Sequence, residues 1–284
     1  MPKIAVVTDT DSSLPLDLAK KHDIAQVPIN VLFGEESYRD VFDITCKETF
    51  ARIDREGVLP TTSAPSPGQF ADAFRAAFDG GAESVLCFNV SGEVSATYAA
   101  AFTAREMFPG RDISVVDTRS LSLGQGLMVL AAAEAVAGGS SADEAVAAAM
   151  DVGSRTHLFA ALSTLKYVAM SGRVGYLAAG MAGLLSIKPI MTIREGKLDL
   201  LERIRTQKKS WERVVELCLE AVNGRPIQRM AMIHVNALED AHQLESMLRA
   251  KLDCPTELLF AEMNPGLSIH AGSGIVGVAF VTAK

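Results

Sequence analysis

The sequence predicts an α/β chain in two parts. An N-terminal domain over 1–155 should hold a mostly parallel sheet with helices on both faces, and a C-terminal α+β domain over 156–284 a mainly antiparallel sheet. Three observations predict this. Short apolar runs alternate with helical spacings through the first half, the pattern of strand–helix–strand units. After about residue 153 the pattern changes, and Glu195-Gly196 between two extended runs signals a hairpin. The length of 284 residues exceeds one ordinary domain, and 49% hydrophobic residues supply material for large cores.

Each element has its own signal. "KIAVVT" is a buried strand running up to Asp9, "SSLPLDLAKKH" a loop and helix, and "IAQVPINVLF" a strand. "CKETFARIDREG" has helical spacing and a glycine stop. "SPGQFADAFRAAFDGG" places Ser66 at an N-cap, Pro67 at the first helical position and two glycines at the end. "SVLCFNV" and "DISVVDT" are strands flanking the helix "VSATYAAAFTAREMF", and "GQGLMVLAAAEAVAGG" is a helix. "SADEAVAAAMDV" opens on a capping box, Ser141 with Glu144. Beyond it, "HLFAALST" is a strand and "LKYVAMSGRVGYLAAGMAGLL" two short helices broken at "SGR". The hairpin "KPIMTIREGKLDLLERI" follows, then the amphipathic helix "KSWERVVELCLEAVNG", the strand "RMAMIHV", the helix "LEDAHQLESMLRAKL" and the strands "TELLFAEM" and "GIVGVAFVTA".

Bulk properties exclude several classes. The net charge is −7 with acids and bases interspersed, which argues against nucleic acid, a DNA-binding regulator role and anionic membrane surfaces. Cys46, Cys87, Cys218 and Cys254 lie far apart without a C-x-x-C, so neither a zinc site nor a thioredoxin motif is indicated. The histidines at 22, 157, 234, 242 and 270 never pair at metal-ligand spacing, and no metal is expected; His234 reads as a core or strand-end residue. The opening "MPKIAVVTDT" lacks a signal-peptide layout, and the apolar segments fall short of about eighteen residues, so we expect a cytoplasmic protein without a membrane span. No H-E-x-x-H, G-x-S-x-G or phosphate-binding G-x-x-x-x-G-K-[ST] occurs. Gly272, Gly274 and Gly277 spell G-x-G-x-x-G, but with Lys284 so close behind we expect a final strand with a glycine-rich lead-in rather than a dinucleotide site.

Four stretches carry candidate chemistry. In "TTSAPSPGQF" Ser66 suffices as a cap, which leaves Thr62 and Ser63 in surplus. In "VSGEVSATYAAA" Ser95 stands where a helix begins, either as an ordinary cap or beside an anion drawn to the helix N-terminus. In "MNPGLSIHAGSGIVG" His270 stands beside glycines that let backbone approach a ligand, or is structural. In "MSGRVGYLAAGMAGLLSIKP" Arg173 precedes a Gly/Ala/Leu/Met surface suited to a chain-like ligand, or to a plain core helix pair.

The ordered set "TDTDSSLP", "TTSAPSPGQF", "VSATYAAA", "VVDTRSLSLGQG", "SGRVG…LLSIKPIM…EGKL" and "SIHAGSGIVGVAF" resembles the DegV family over nearly the whole chain. The resemblance implies two α/β domains with a long-chain fatty acid held between them, and no other cofactor. It further implies a binding subunit of bacterial fatty acid kinase, which presents the acyl carboxylate to a separate ATP-binding kinase subunit. By motif position Thr62 and Ser95 would bind the carboxylate, with Ser63 and Ala96 in support. Arg173 and His270 would act at the head-group end and in acyl-phosphate handling. No catalytic residue is implied in the chain itself. Three positions depart from the family pattern: Ala96 replaces a glycine, Ala64 a glutamine and Ser273 a proline. The competing reading is a serine-dependent lipid hydrolase or acyltransferase with Ser95 as nucleophile, His270 as base and Asp9 or Asp117 as orienter. For the carrier, burying about fifteen methylenes is worth roughly 12 kcal/mol gross. The tail then decides affinity and the head group fixes orientation.

Overall fold

The computed structural model describes residues 3–171 and 187–284. In chain order the elements are β1 (Ile4–Asp9), α1 (Leu16–Lys21), β2 (Ile24–Val27), β3 (Asn30–Phe33), β4 (Glu36–Arg39), α2 (Cys46–Glu56), β5 (Thr61–Ser63), α3 (Pro67–Asp79), β6 (Ser84–Asn89), α4 (Thr97–Arg105), β7 (Asp112–Asp117), α5 (Ser122–Ala137) and α6 (Ala142–Ser154). They continue as β8 (Thr156–Ala161), α7 (Lys166–Ser171), β9 (Lys188–Arg194), β10 (Lys197–Ile204), α8 (Gln207–Val222), β11 (Ile227–His234), α9 (Leu238–Arg249), β12 (Leu259–Glu262), α10 (Pro265–Ala271) and β13 (Val276–Thr282). A single 3-10 turn, Thr10–Ser12, follows β1. The chain forms two compact units, one of Met1–Thr45 with Pro60–Ser154, the other of Cys46–Leu59 with Arg155–Lys284.

The first unit is built on a parallel sheet in the order β2-β1-β6-β7. Strands covered on both faces read as continuous apolar runs, and β6 is buried at every residue. On one face Phe70 and Phe74 of α3 and Ala101 and Ala104 of α4 pack against Val7, Val85 and Cys87. The next residue along β1, Thr8, points the opposite way, and its hydroxyl accepts a hydrogen bond from Gln125 of α5 (3.0 Å). Helix α5 therefore covers the second face. Its residues 122–133 are all buried, as expected of a helix that is apolar on every side. Helices on both faces of a parallel sheet are thus what the sequence pattern predicted.

Two glycines allow α5 to sit this close. A Cβ on Gly153 of α6 would lie 2.7 Å from the Met128 methyl, and one on Gly126 would lie 2.7 Å from the backbone carbonyl of Ser12. Met128 can yield; a carbonyl in a tight turn cannot. Gly126→Ala is expected to lower the stability of the first unit by about 1–3 kcal/mol through overpacking. Gly153→Ala is expected to cost less, and urea unfolding monitored by circular dichroism would rank the two.

The stretch "IAQVPINVLF" forms two strands rather than one. Pro28, without an N–H, separates β2 in the parallel sheet from β3, which enters a small antiparallel sheet in the order β4-β3-β5. That small sheet is tied to the carboxyl end of β1, because the Thr10 hydroxyl accepts from Ile29 N–H (3.0 Å) and donates to Asp40 (3.0 Å).

The second unit carries a six-stranded sheet in the order β10-β9-β8-β13-β11-β12, antiparallel except for the β11–β12 pair. The hairpin turn falls at Glu195-Gly196, both with positive φ (52° and 82°), the backbone of a type I′ turn. Trp211, Val214, Val215 and Cys218 of α8 and Ala241, Leu244 and Leu248 of α9 form one core with Met230, Met232, Val278 and Phe280 of the sheet. The glycine triplet serves this unit structurally. Gly272 (φ 91°) ends α10, Gly274 (φ 81°) turns the chain, and Gly277 lies in β13 where a Cβ would be 2.9 Å from the Phe159 carbonyl. Residues 265–271 form a helix started by Pro265, an element the sequence pattern did not predict.

Candidate functional site

Ser95 and Ala96 follow the carboxyl end of the parallel strand β6, where open α/β sheets gather ligand-binding groups, and Thr62 and Ser63 lie in the small antiparallel sheet. Thr62 is the middle residue of β5, opposite Val31 in the small sheet. Strand alternation turns it away from Thr61 and Ser63, and it is half-buried while they are exposed. Asn30 Nδ2 donates to Ser63 Oγ (3.3 Å) and to the Ala64 carbonyl (3.4 Å), which fixes the end of β5. Ser66 is occupied as a cap: its hydroxyl accepts from Gln69 N–H (3.3 Å), and Gln69 Oε1 accepts from Ser66 N–H (2.9 Å).

Ser95 stands in the turn between β6 and α4. The Ser91 carbonyl accepts from both Val94 and Ser95 N–H (3.1 Å each), which folds the turn back on itself. The half-buried Ser95 hydroxyl accepts from Thr97 N–H (3.3 Å) and shares a hydrogen bond with the Thr97 hydroxyl (2.8 Å). The N-cap position belongs to Ala96, whose side chain makes no capping bond. Ser95 therefore supplies the helix-end contact from one residue earlier. The first intrahelical bond runs from Ala100 N–H to the Ala96 carbonyl (3.0 Å), so the Tyr98 and Ala99 amides precede it and carry the partial positive charge of the helix end. With φ −76°, Ala96 occupies a conformation open to any residue, and the methyl group there imposes no backbone strain.

Behind this turn lies a buried polar hub that sequence reasoning only touched. Asp9 is fully buried at the end of β1. Its Oδ2 accepts from Val90 N–H (2.8 Å) and Asn89 Nδ2 (3.3 Å), and its Oδ1 from Asp11 N–H (3.1 Å) and Gln125 Nε2 (3.2 Å). Burial pushes its pKa up from 3.8 to about 6, against the four hydrogen bonds that favour the ionised form. The folded state thus holds this proton more tightly than the unfolded chain. Asp9's contribution to stability is full below about pH 4 and is lost as pH rises through about 6. Burial, then the Asp9 charge, pushes the Cys87 thiol up, so it stays protonated. At the end of β7, Asp117 accepts from Arg119 N–H (2.8 Å) and Gly92 N–H (3.3 Å). These partners of Asp9 and Asp117 are backbone and amide groups. Asn89 and Gln125 went unnoticed in the sequence. An amide inside the otherwise apolar "GLMVLAAA" helix was the available signal for the second of them.

In the second unit, His270 lies in the last turn of α10 and is half-buried. Gly272 N–H donates to the Ser268 carbonyl (2.6 Å) one turn below and closes the helix. His234 ends β11 as a buried strand-end histidine, its imidazole pKa lowered by burial. Arg173 lies outside the described residues. No three His, Cys, Asp or Glu side chains among the described residues are grouped to hold a metal ion. No helix among them is long and apolar enough to cross a membrane.

Comparison with known proteins covers the same span. The family profile of DegV, described as an uncharacterised protein family, matches residues 3–283. A DegV domain-containing protein of Caldanaerobacter subterraneus subsp. tengcongensis is 32% identical over 283 residues, 99% of each chain. Among solved structures, a DegV family protein from Thermus thermophilus described for its fatty acid binding superposes with a TM-score of 0.91 at 32% identity, over 99% of this chain and 100% of that one. DegV of Bacillus subtilis, described as a fatty acid binding protein, gives 0.88 at 28% identity with both chains covered completely. The chain belongs to the DegV family.

Proposed function

We propose that this protein binds a long-chain fatty acid with its acyl tail buried and, working in the cytoplasm, presents the carboxylate to a separate kinase subunit for ATP-dependent phosphorylation. The observation that carries the binding step is the whole-length likeness to the Thermus thermophilus protein described for fatty acid binding. The turn at α4 supports it. A hydroxyl beside the first amides of a nine-residue helix is suited to hold a carboxylate. Thr62 and Ser95 take the carboxylate, with Ser63 and Ala96 at their margins, and Arg173 and His270 serve the head-group end. The kinase step rests on the family resemblance and on chemistry. A carboxylate held by hydrogen-bond donors is a poor nucleophile, and its phosphorylation needs ATP and Mg²⁺ positioned by a partner.

Two measurements test this. Denatured, solvent-extracted protein should release a long-chain fatty acid identifiable by mass spectrometry; release of no acyl species from protein purified without detergent would overturn the binding step. Ser95→Ala removes one charge-assisted hydrogen bond, worth about 1.5–3 kcal/mol. It should leave the lipid bound while lowering acyl-phosphate formation with a fatty acid kinase ATP-binding subunit by about tenfold or more. Full acyl-phosphate formation by Ser95→Ala would remove Ser95 from the site.

A further inference from the structure

We propose that Asp9 is a positioning residue for the head-group site, its carboxylate fixing the turn at 90–96 that carries Ser95. The inference rests on the reading of Ser95 as a ligand of the fatty-acid carboxylate.

The geometry follows a short bonded path. Val90 is the first residue after β6, and its N–H is taken by Asp9 Oδ2 (2.8 Å). The next residue, Ser91, donates its N–H to the Ser120 carbonyl (2.8 Å), and its own carbonyl receives Ser95 N–H (3.1 Å). The preceding residue, Asn89, gives its side-chain amide to Asp9 (3.3 Å), while its carbonyl is held by the Thr118 hydroxyl (2.8 Å). Two links therefore join the Asp9 carboxylate to the backbone of Ser95, and the far side of the turn is anchored to the end of β7.

The chemistry explains why a carboxylate stands here despite full burial. Four donors converge on one side chain, from β6, the turn, the 3-10 segment and α5. An ionised carboxylate offers about four acceptor sites on two oxygens, whereas an asparagine offers about two and adds donors of its own. A neutral residue cannot serve this hub without leaving buried donors unmet. The ionisable groups on the elements joined to this hub are Cys87 on β6, Asp11 in the 3-10 segment, the buried Asp40 bonded to Thr10 of that segment, Glu93 in the turn, and Asp117 and Arg119 at the end of β7. Helix α5 brings none before Glu134.

The test compares Asp9→Asn, Ser95→Ala and the unaltered protein at pH 7.5, using displacement of a fluorescent fatty acid by a long-chain acid and by the alcohol of the same length. The ratio of the two affinities reads head-group recognition and cancels the tail. Ser95→Ala should lower the acid-over-alcohol preference about tenfold, and Asp9→Asn should lower it comparably while leaving alcohol affinity unchanged. If Ser95→Ala leaves the preference intact, the head-group reading fails and the present inference falls with it. If Ser95→Ala lowers the preference and Asp9→Asn does not, the positioning role alone is wrong. A second measurement needs no variant. In ligand-free protein the amide resonances of Val90, Ser95 and Thr97 should titrate together with a midpoint near pH 6, as protonation of Asp9 removes an acceptor from the hub. Movement of Val90 alone, with Ser95 and Thr97 static, would show that the carboxylate does not control the turn.

Discussion

Gly272→Ala is expected to destabilise the second unit by about 3–5 kcal/mol, through two additive faults. At φ 91° and ψ 162° the backbone occupies a region essentially reserved for glycine, so any side chain there strains the chain. The added Cβ would also fall against Cδ2 of the Tyr167 ring, well inside contact distance. Denaturant unfolding should show the loss as a lower midpoint, and a double-mutant cycle should separate the faults. Tyr167→Ala removes the clash but not the strain, so the pair should be less destabilising than the sum of the single changes. Strict additivity would show that the ring already swings aside at no cost.

Phe74→Ala is expected to cost the first unit about 3–5 kcal/mol. Phe74 is fully buried on α3, with ring centroids 6.2 Å from Phe70 and 6.0 Å from Phe108. Its removal leaves a cavity in the close-packed cluster that also contains Val7, Val85 and Ala101. Phe102→Ala on the exposed side of α4, where Arg105 lies over the ring at 4.1 Å, should cost about 1 kcal/mol or less. Equal losses from the two would contradict the division between core and surface.

The same contrast explains what could be read from residues alone. The strands of the parallel sheet were legible because burial on both faces demands unbroken apolar runs, as in "SVLCFN". Helix α3 was legible because Ser66 and Pro67 make a start signal that acts within one turn of chain. The break at Pro28 was readable in principle; that β3 then pairs with β5 was not, because the register Val31–Thr62 joins residues far apart in sequence. Helix α10 was masked by glycines that lie mostly beyond its end and serve to stop it. At the site, Thr62 and Ser63 stood out as hydroxyls surplus to capping, and Ser95 as a helix-start serine open to a capping or an anion-binding role; its hydroxyl accepts from the amide of Thr97. The Asp9 hub was illegible for a different reason. Its members come from β1, β6 and α5, and only the three-dimensional sheet order makes them neighbours.

Helix α2 belongs to the second unit although it is encoded among the residues of the first. Its Cys46 thiol donates to the carbonyl of Met263 (2.8 Å), 217 residues further along. A ribosome therefore releases this helix long before its partners exist, and the segment must wait, unassembled, until translation is nearly complete. Cutting the chain at residue 155 would strand it in the wrong fragment, so the C-terminal half expressed alone would lack one of its helices and the N-terminal half would carry one without its partners.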